Sequence, residues 1–308
     1  KQDYQYSINN SNSLKFGWNS IYHSIRPGEI TGNAGSSIND KIQAKRNSFE
    51  NALYISSTVK PTTKLTLTTG ARLTAFSVLG GGNYYNIDPS GKILDTLKYK
   101  SGEIIKTYWN IEPRVAIGFM FNNSSSVKAS YTRNTQYMHL ISSYNGSSPL
   151  DKWISTSNLI KPQISNQYSI GYYANILSNK YELTVETYYK DMANIMDYRD
   201  GADIFLNETI ESQLLYGKGR AYGIELMMKK KTGKLTGWIS YTLSKTERKI
   251  DGINNNEWYN AKQDRTHDVA VVAMYEINKK WTLSANFVFY TGDAVTFPSG
   301  KYNIGGQT

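Results

Sequence analysis

Short and long connections alternate along this chain. Segments of alternating apolar and polar residues come in pairs, each joined by a short polar turn, and successive pairs are separated by roughly 20 to 30 residues. The period of two marks half-exposed strands. "YQYSI" and "SLKFGWNSIY" turn near Asn9 to Asn12, and "LYISSTV" meets "KLTLTTGARLTAF" through Lys60-Pro61-Thr62-Thr63, where the proline ends one strand and opens the turn. "RVAIGFMF" meets "SVKASYTR" across Asn122 to Ser125, and "QYSIGYYANI" meets "YELTVETYYK" across Leu177 to Lys180. "YGIELMMKK" meets "KLTGWISYTLS" across Lys231 to Gly233, and "DVAVVAMYEI" meets "WTLSANFVFYTG" across Asn278 to Lys280. About twelve strands result. The long connections run His23 to Asn47, Phe76 to Lys106, Tyr137 to Ser165, Met192 to Gly217 and Lys245 to Asp264. Strict alternation puts every tight turn at one end of an antiparallel, up-and-down wall and every long loop at the other. Connections of this length carry function more often than they merely join elements.

The rows of side chains say what each face of the wall meets. In "WNIEPRVAIGF", Trp109, Ile111, Pro113, Val115, Ile117 and Phe119 form one row, while Asn110, Glu112, Arg114 and Gly118 form the other. Ten steps of about 3.3 Å give roughly 33 Å, or about 25 Å along a membrane normal at a tilt of about 40°, close to the apolar band of a membrane barrel. Aromatics close the row at Trp109 and Phe119. Tyr181 and Tyr189 bracket a second row and Trp281 and Phe289 a third, the pattern of girdles at two water boundaries. Hydrophobic residues are only 39% of the chain, and no window reaches the roughly 18 consecutive apolar residues of a membrane helix. A barrel strand needs no such window, because one of its faces is wet.

Two segments depart from the pattern: "HDVAVVAMY" is apolar on both faces, and Gly237-Trp238 interrupts the alternation. A soluble carbohydrate-binding β-propeller or adhesin also alternates, with kelch-type repeats of about 50 residues. These pairs share pattern without sharing residues, which disfavours that alternative. A passive porin is the other alternative.

No catalytic, metal or cofactor site is expected. There are no cysteines, and His23, His139 and His267 lie on or near loops and strand ends, in no two-histidine metal spacing. "QDRTHD" (263–268) reads as a salt-bridged rim, "DYRDGAD" (197–203) lacks the closing glutamate of a calcium loop, and "LGGGN" (79–83) opens no helix that could cradle phosphate. The net charge of +10 is dispersed, and its densest run, "KKKTGK" (229–234), sits at a turn, so no nucleic-acid partner is expected.

Five blocks go beyond pattern: "NIEPRVAIGF" (110–119), "SVKASYTRNTQYMHLIS" (126–142), "ELTVETYYKDMANIMDYRDGA" (182–202), "GKGRAYGIELMMKKKTGKLTGWISYTLSKTER" (217–248) and "DRTHDVAVVAMYEINKKWTLSANFVFYTGDAVTFP" (264–298). In order and spacing they resemble the barrel of TonB-dependent outer-membrane receptors, over most of residues 50 to 300. The resemblance implies a 22-stranded barrel filled by an N-terminal plug in the outer membrane of a Gram-negative bacterium. It also implies a scarce large nutrient (siderophore, cobalamin, haem or glycan) imported with energy delivered by TonB with ExbB and ExbD. Residues 1–308 then form a partial barrel domain, a middle section of about twelve strands: nothing plug-like precedes Ser13, and "TFPSGKYNIGGQT" reads as a loop.

Within that frame Arg72, Glu112, Arg114, Glu186 and Glu225 are expected on the inner row, solvated or paired with the plug, or in contact with substrate. In "YGIE" (222–225), Tyr222 and Ile224 face lipid while Gly223 and Glu225 face in. The long loops hold aromatics expected to be exposed, Tyr84, Tyr85, Tyr144, Trp153, Tyr198, Trp258 and Tyr259. Rigid rings among Asn, Ser and Gly suit stacking on sugars or flat chelates at little entropic cost.

Overall fold

The computed structural model describes residues 1–26, 28–32, 41–42, 44–88, 91–141, 152–199, 201–202, 207, 209–292 and 294. Strands β1 (Gln2–Asn9) and β2 (Asn12–Ile25) form the first hairpin. A minimal pair, β3 (Glu29–Ile30) and β4 (Lys41–Ile42), lies in the first long connection. The wall resumes with β5 (Arg46–Val59) and β6 (Leu65–Leu79), then carries a side hairpin of β7 (Gly82–Ile87) and β8 (Ile93–Tyr99). β9 (Ile104–Asn122) and β10 (Ser125–Gln136) follow, with a second side hairpin of β11 (Met138–Ile141) and β12 (Lys152–Ser155). β13 (Gln163–Ile176) and β14 (Tyr181–Tyr198) precede a 3-10 turn at Ile210–Gln213. β15 (Leu214–Lys230) and β16 (Leu235–Ile250) come next, then the short β17 (Tyr259–Asn260), and β18 (His267–Asn278) and β19 (Trp281–Tyr290) end the wall.

The wall is one antiparallel sheet in the order β1-β2-β5-β6-β9-β10-β13-β14-β15-β16-β18-β19, with β17 added beside β16. Every long wall strand pairs with its neighbours in sequence, so the up-and-down topology and all six tight turns stand as expected. The single sheet overturns the propeller alternative, whose blades would each be a separate sheet. The long connections, in contrast, are shorter than expected. β14 runs to Tyr198 and β16 to Ile250, well past the residues where the alternation fades, and three connections fold into hairpins of their own.

Register settles the two faces. One continuous row of partners passes from Leu65 through Phe119, Val127, Tyr172, Val185, Leu226, Tyr241 and Val269 to Phe289. A second passes from Trp18 through Leu53 and Leu73 to Ile111. Trp109, at 67% exposure, and Trp281, at 69%, share this apolar face, as do Tyr181 and Tyr189. So many large apolar side chains on one exposed face require a non-aqueous neighbour. Buried cores form instead at the long-loop end. One unites Phe76, Val78, Tyr84 and Tyr137, the other Ile141, Ile154, Ile160, Met196 and Leu214.

Gly237 explains the interruption noted in the sequence. Its φ is +147°, and an added Cβ would lie 2.0 Å from the carbonyl oxygen of Val272 on β18. Only glycine allows the two strands to approach so closely there.

Candidate ligand-binding mouth

The inner face below the loops is polar because strand parity places every second residue there. Arg72 of β6 reaches past the small, buried Ala52 on β5 to donate from Nη2 to Glu50 Oε1 at 3.0 Å, while its Nε donates to Thr74 Oγ1 at 3.2 Å. Glu50 also meets His23 Nε2 at 3.3 Å. On β9, Glu112 is buried and accepts the Thr135 backbone N–H at 3.1 Å. Arg114 lies 3.9 Å from Glu112 and donates to Asn134 Oδ1 at 3.2 Å. Glu50, Arg72, Glu112 and Arg114 line a cavity of ≈ 560 Å³ together with Tyr137, Lys190 and Met192. Of the expected inner-row residues, Arg72, Glu112 and Arg114 converge on this cavity. Glu186 and Glu225 do not: they face each other as register partners on β14 and β15, and the Tyr173 hydroxyl donates to Glu186.

Glu50 escaped the sequence reading, although it stands on the inner row two positions before Ala52 and four before Tyr54. Its pairing with Arg72 is diagonal, across four residues of β5, and local pattern does not reveal it.

Above the cavity the long connections are bound to one another. Tyr108 donates to the Ser157 carbonyl at 2.7 Å, Asn158 Nδ2 to the Tyr85 carbonyl at 3.0 Å, and Arg46 Nη1 to the Asn83 carbonyl at 2.9 Å. The Arg46 guanidinium also lies 4.3 Å over the Tyr84 ring. His139, within the connection from Tyr137 to Ser165, is buried beside Thr156 Oγ1 at 3.1 Å, and burial lowers its pKa to about 4. Burial pushes the Glu211 carboxyl upward, with a Ser157 hydrogen bond and the charge of Arg46 opposing.

The expected loop aromatics divide. Tyr84 and Tyr85 are buried, contrary to the expectation of exposure, because their hairpin folds inward and the Tyr84 hydroxyl donates to the Leu79 carbonyl at 2.8 Å. Tyr198 packs half-buried against the second core. The Tyr259 hydroxyl donates to Asp197 Oδ2 at 3.0 Å, which Arg248 Nη1 also reaches at 3.2 Å. Trp258 is half-buried, with the Arg220 guanidinium 4.2 Å from its ring. Trp153 remains exposed at 54%. Tyr144 lies outside the described residues. The "QDRTHD" rim is held through its side chains: Asp264 Oδ1 accepts the Thr246 backbone N–H, His267 Nδ1 meets the Tyr241 hydroxyl at 2.9 Å, and the Arg265 guanidinium lies 3.8 Å over the Tyr290 ring. Among the described residues no group of His, Asp and Glu is placed to hold a metal ion.

An antiparallel wall with one apolar face, one polar face and its long connections all at one end has the plan of a membrane β-barrel of outer-membrane type. The chain belongs to the TonB-dependent receptor family: the family model "TonB dependent receptor-like, beta-barrel" matches residues 1–308. That places it in the Gram-negative outer membrane, in a family of transport receptors. No curated protein matches it in sequence. Its fold is similar to the copper transporter OprC, at 15% identity and a TM-score of 0.63 over 91% of this chain and 41% of that one. The FrpB iron transporter from Neisseria meningitidis gives 13% identity and a TM-score of 0.59, with 90% and 39% covered. The alcaligin outer-membrane receptor FauA from Bordetella pertussis gives 14% and 0.56, with 94% and 45% covered. The chain therefore spans about two-fifths of the length of these structures.

Proposed function

We propose that this chain is a wall segment of a receptor that captures a scarce, large nutrient at its loop layer and imports it with TonB-coupled energy. The observation that carries the reading is the inward-folded, mutually hydrogen-bonded loop layer above a charged cavity. A passive pore has no use for such a cover, whereas a receptor must hold ligand at the mouth until the passage opens. Trp153 and Trp258 supply ring faces to the ligand. Glu50, Arg72, Glu112 and Arg114 lie behind them, where plug and ligand meet the wall. Trp109, Tyr181 and Trp281 face lipid. The nutrient is a compact chelate or ring system such as a ferric siderophore, haem or cobalamin, or else a glycan.

The test is uptake by the intact receptor in cells lacking their other receptors, with labelled ferric siderophores, haem, cobalamin and oligosaccharides as probes. The expected result is uptake of one class that disappears when TonB is deleted. Equal uptake with and without TonB would establish a passive pore and overturn the proposal.

A further inference from the structure

Lysine is concentrated at the tight turns, from which arginine is absent, and this concentration points to a partner. The tight turns with their flanks (8–13, 59–65, 121–125, 176–182, 229–235 and 276–281) contain nine lysines, no arginine and only two carboxylates, Glu182 and Glu276. Arginines occupy the wall and the loop end, where they pair: Arg72 with Glu50, Arg220 with Glu247 and Arg248 with Asp197. Among the described residues, only Lys231 of the turn lysines is in an ion pair, with Glu182 at 3.4 Å. An excess of about seven charges thus collects on one rim without internal neutralisation.

The position of that rim relative to the apolar face is regular. Lys180 immediately precedes Tyr181, Lys280 precedes Trp281, and Lys230 is the register partner of Tyr181. Lys64 precedes Leu65, the partner of Phe119, and Lys234 precedes Leu235, the partner of Tyr275. Each of these lysines is therefore one step or one partner from the apolar or aromatic edge of the belt, where an ammonium on a four-carbon stem reaches the headgroup level while its stem stays on apolar surface. The turns are also fixed to one another: the Lys231 N–H donates to the Lys180 carbonyl at 2.9 Å, and the Glu276 N–H to the Lys234 carbonyl at 2.8 Å. Seven of the nine lysines fall on three consecutive turns, an arc of six strands about 24 Å wide at about 4.8 Å per strand.

We propose that this rim binds anionic phospholipid headgroups of the periplasmic leaflet and anchors the barrel at a fixed depth. A hydrated point charge on a flexible stem suits a mobile headgroup layer, where net positive charge carries the attraction and no fixed fork geometry is required. The attraction is of the kind that draws basic segments to anionic leaflets. The inference rests on the reading that the belt faces lipid, so the experiment reads the two separately.

The intact receptor is placed in nanodiscs of equal phosphatidylglycerol and phosphatidylcholine, and the lipids it retains on release into detergent are counted by native mass spectrometry. The wild-type rim is expected to favour phosphatidylglycerol about tenfold. In a variant carrying Lys180→Gln, Lys230→Gln, Lys234→Gln, Lys279→Gln and Lys280→Gln the preference falls to about twofold or less. The matching Lys→Arg variant keeps it. Quenching of tryptophan fluorescence by brominated acyl chains, measured on the same samples, reports whether the belt tryptophans Trp18, Trp109 and Trp281 face lipid. Quenching without headgroup preference in the wild type, or preference undiminished in the Gln variant, overturns this inference alone. Absence of quenching overturns the lipid-facing reading and the inference with it.

Discussion

Tyr137 lies flat on Phe76, with ring centroids 4.4 Å apart and planes 2° from parallel. Phe76 belongs to a wall strand and Tyr137 to the connection after β10, so this stack seats the loop layer on the wall. Asn110 Nδ2 donates to the Tyr137 hydroxyl at 2.9 Å, tying a second wall strand to the same ring. Tyr137→Ala removes the ring from a closed core and orphans the Asn110 amide, a loss of about 3–5 kcal/mol in the layer. Tyr137→Phe keeps the stack and loses about 1 kcal/mol. Hydrogen exchange of amides 137–141 and 152–157 in the intact receptor is expected to accelerate about a hundredfold or more in the first variant and about fivefold in the second. Acceleration of β13 and β14 to the same extent would mean that the stack supports the whole wall and not the layer.

His139 gives the layer a pH dependence whose sign is defined. Its folded pKa is depressed to about 4 by burial, below the ordinary value of 6.5. The neutral ring is the folded form, so its contribution is complete above about pH 6.5 and is lost as pH falls toward 4, by up to about 1.4 kcal/mol per pH unit. Between pH 7 and pH 5 the layer should lose protection by about tenfold, after correction for intrinsic exchange. His139→Gln, which can still hydrogen-bond Thr156, should flatten that profile; an unchanged profile would assign the acid sensitivity elsewhere.

Glu211 acts in the opposite direction. Burial raises its carboxyl pKa, and among the described residues its Oε2 has no hydrogen-bond partner. The stability it contributes is present below the ordinary carboxylate pKa and is lost as pH rises through the raised one. At neutral pH Glu211→Gln therefore should strengthen the layer, read as slower exchange across residues 209–216. Faster exchange would show that Arg46 and Ser157 stabilise the ionised form more than burial penalises it.

The wall was legible in the sequence because everything that defines it is local. Period-two rows, Pro61 in a turn and runs such as Asn122-Asn123 act over a few residues, and the register follows once the turns are known. The loop layer was not legible, because its contacts join residues far apart: Asn158 with Tyr85, Tyr108 with Ser157, Arg46 with Asn83. Tyr84 and Tyr85 sit among Gly and Asn, a composition equally suited to an exposed loop, and only the inward fold of their hairpin buries them. Of the inner-row charges, the pairing of Glu112 with Arg114 could be expected from their spacing. The meeting of Arg72 with Glu50 required the β5–β6 register.

Gly237 provides a test of the wall that involves no ligand. A methyl group there would collide with the Val272 carbonyl in a conformation that side chains rarely adopt. Gly237→Ala is expected to cost about 2 kcal/mol or more and to part β16 from β18 near the turn end. Urea unfolding of the receptor, followed by its heat-modifiable migration on gels, measures the loss. Wild-type stability in this variant would mean that the two strands are further apart than described.

The belt itself can be tested at a single depth with two neighbouring strands. Ile224 on β15 partners Leu243 on the apolar face, while the adjacent pair Glu225 and Thr242 points to the polar face. Arginine at the centre of a lipid-facing belt costs about 2–4 kcal/mol, whereas one facing a wet lumen costs little. Ile224→Arg should therefore lower the stability of the reconstituted receptor by that amount, and Thr242→Arg, which gains Glu225 as a neighbour, should leave it within about 0.5 kcal/mol. The two sites lie one residue apart along the same register, so differences in depth, strand pairing or expression cannot produce the contrast. Equal costs at both positions would mean that the apolar row is covered by protein and not by acyl chains, and the assignment of the two faces would fall.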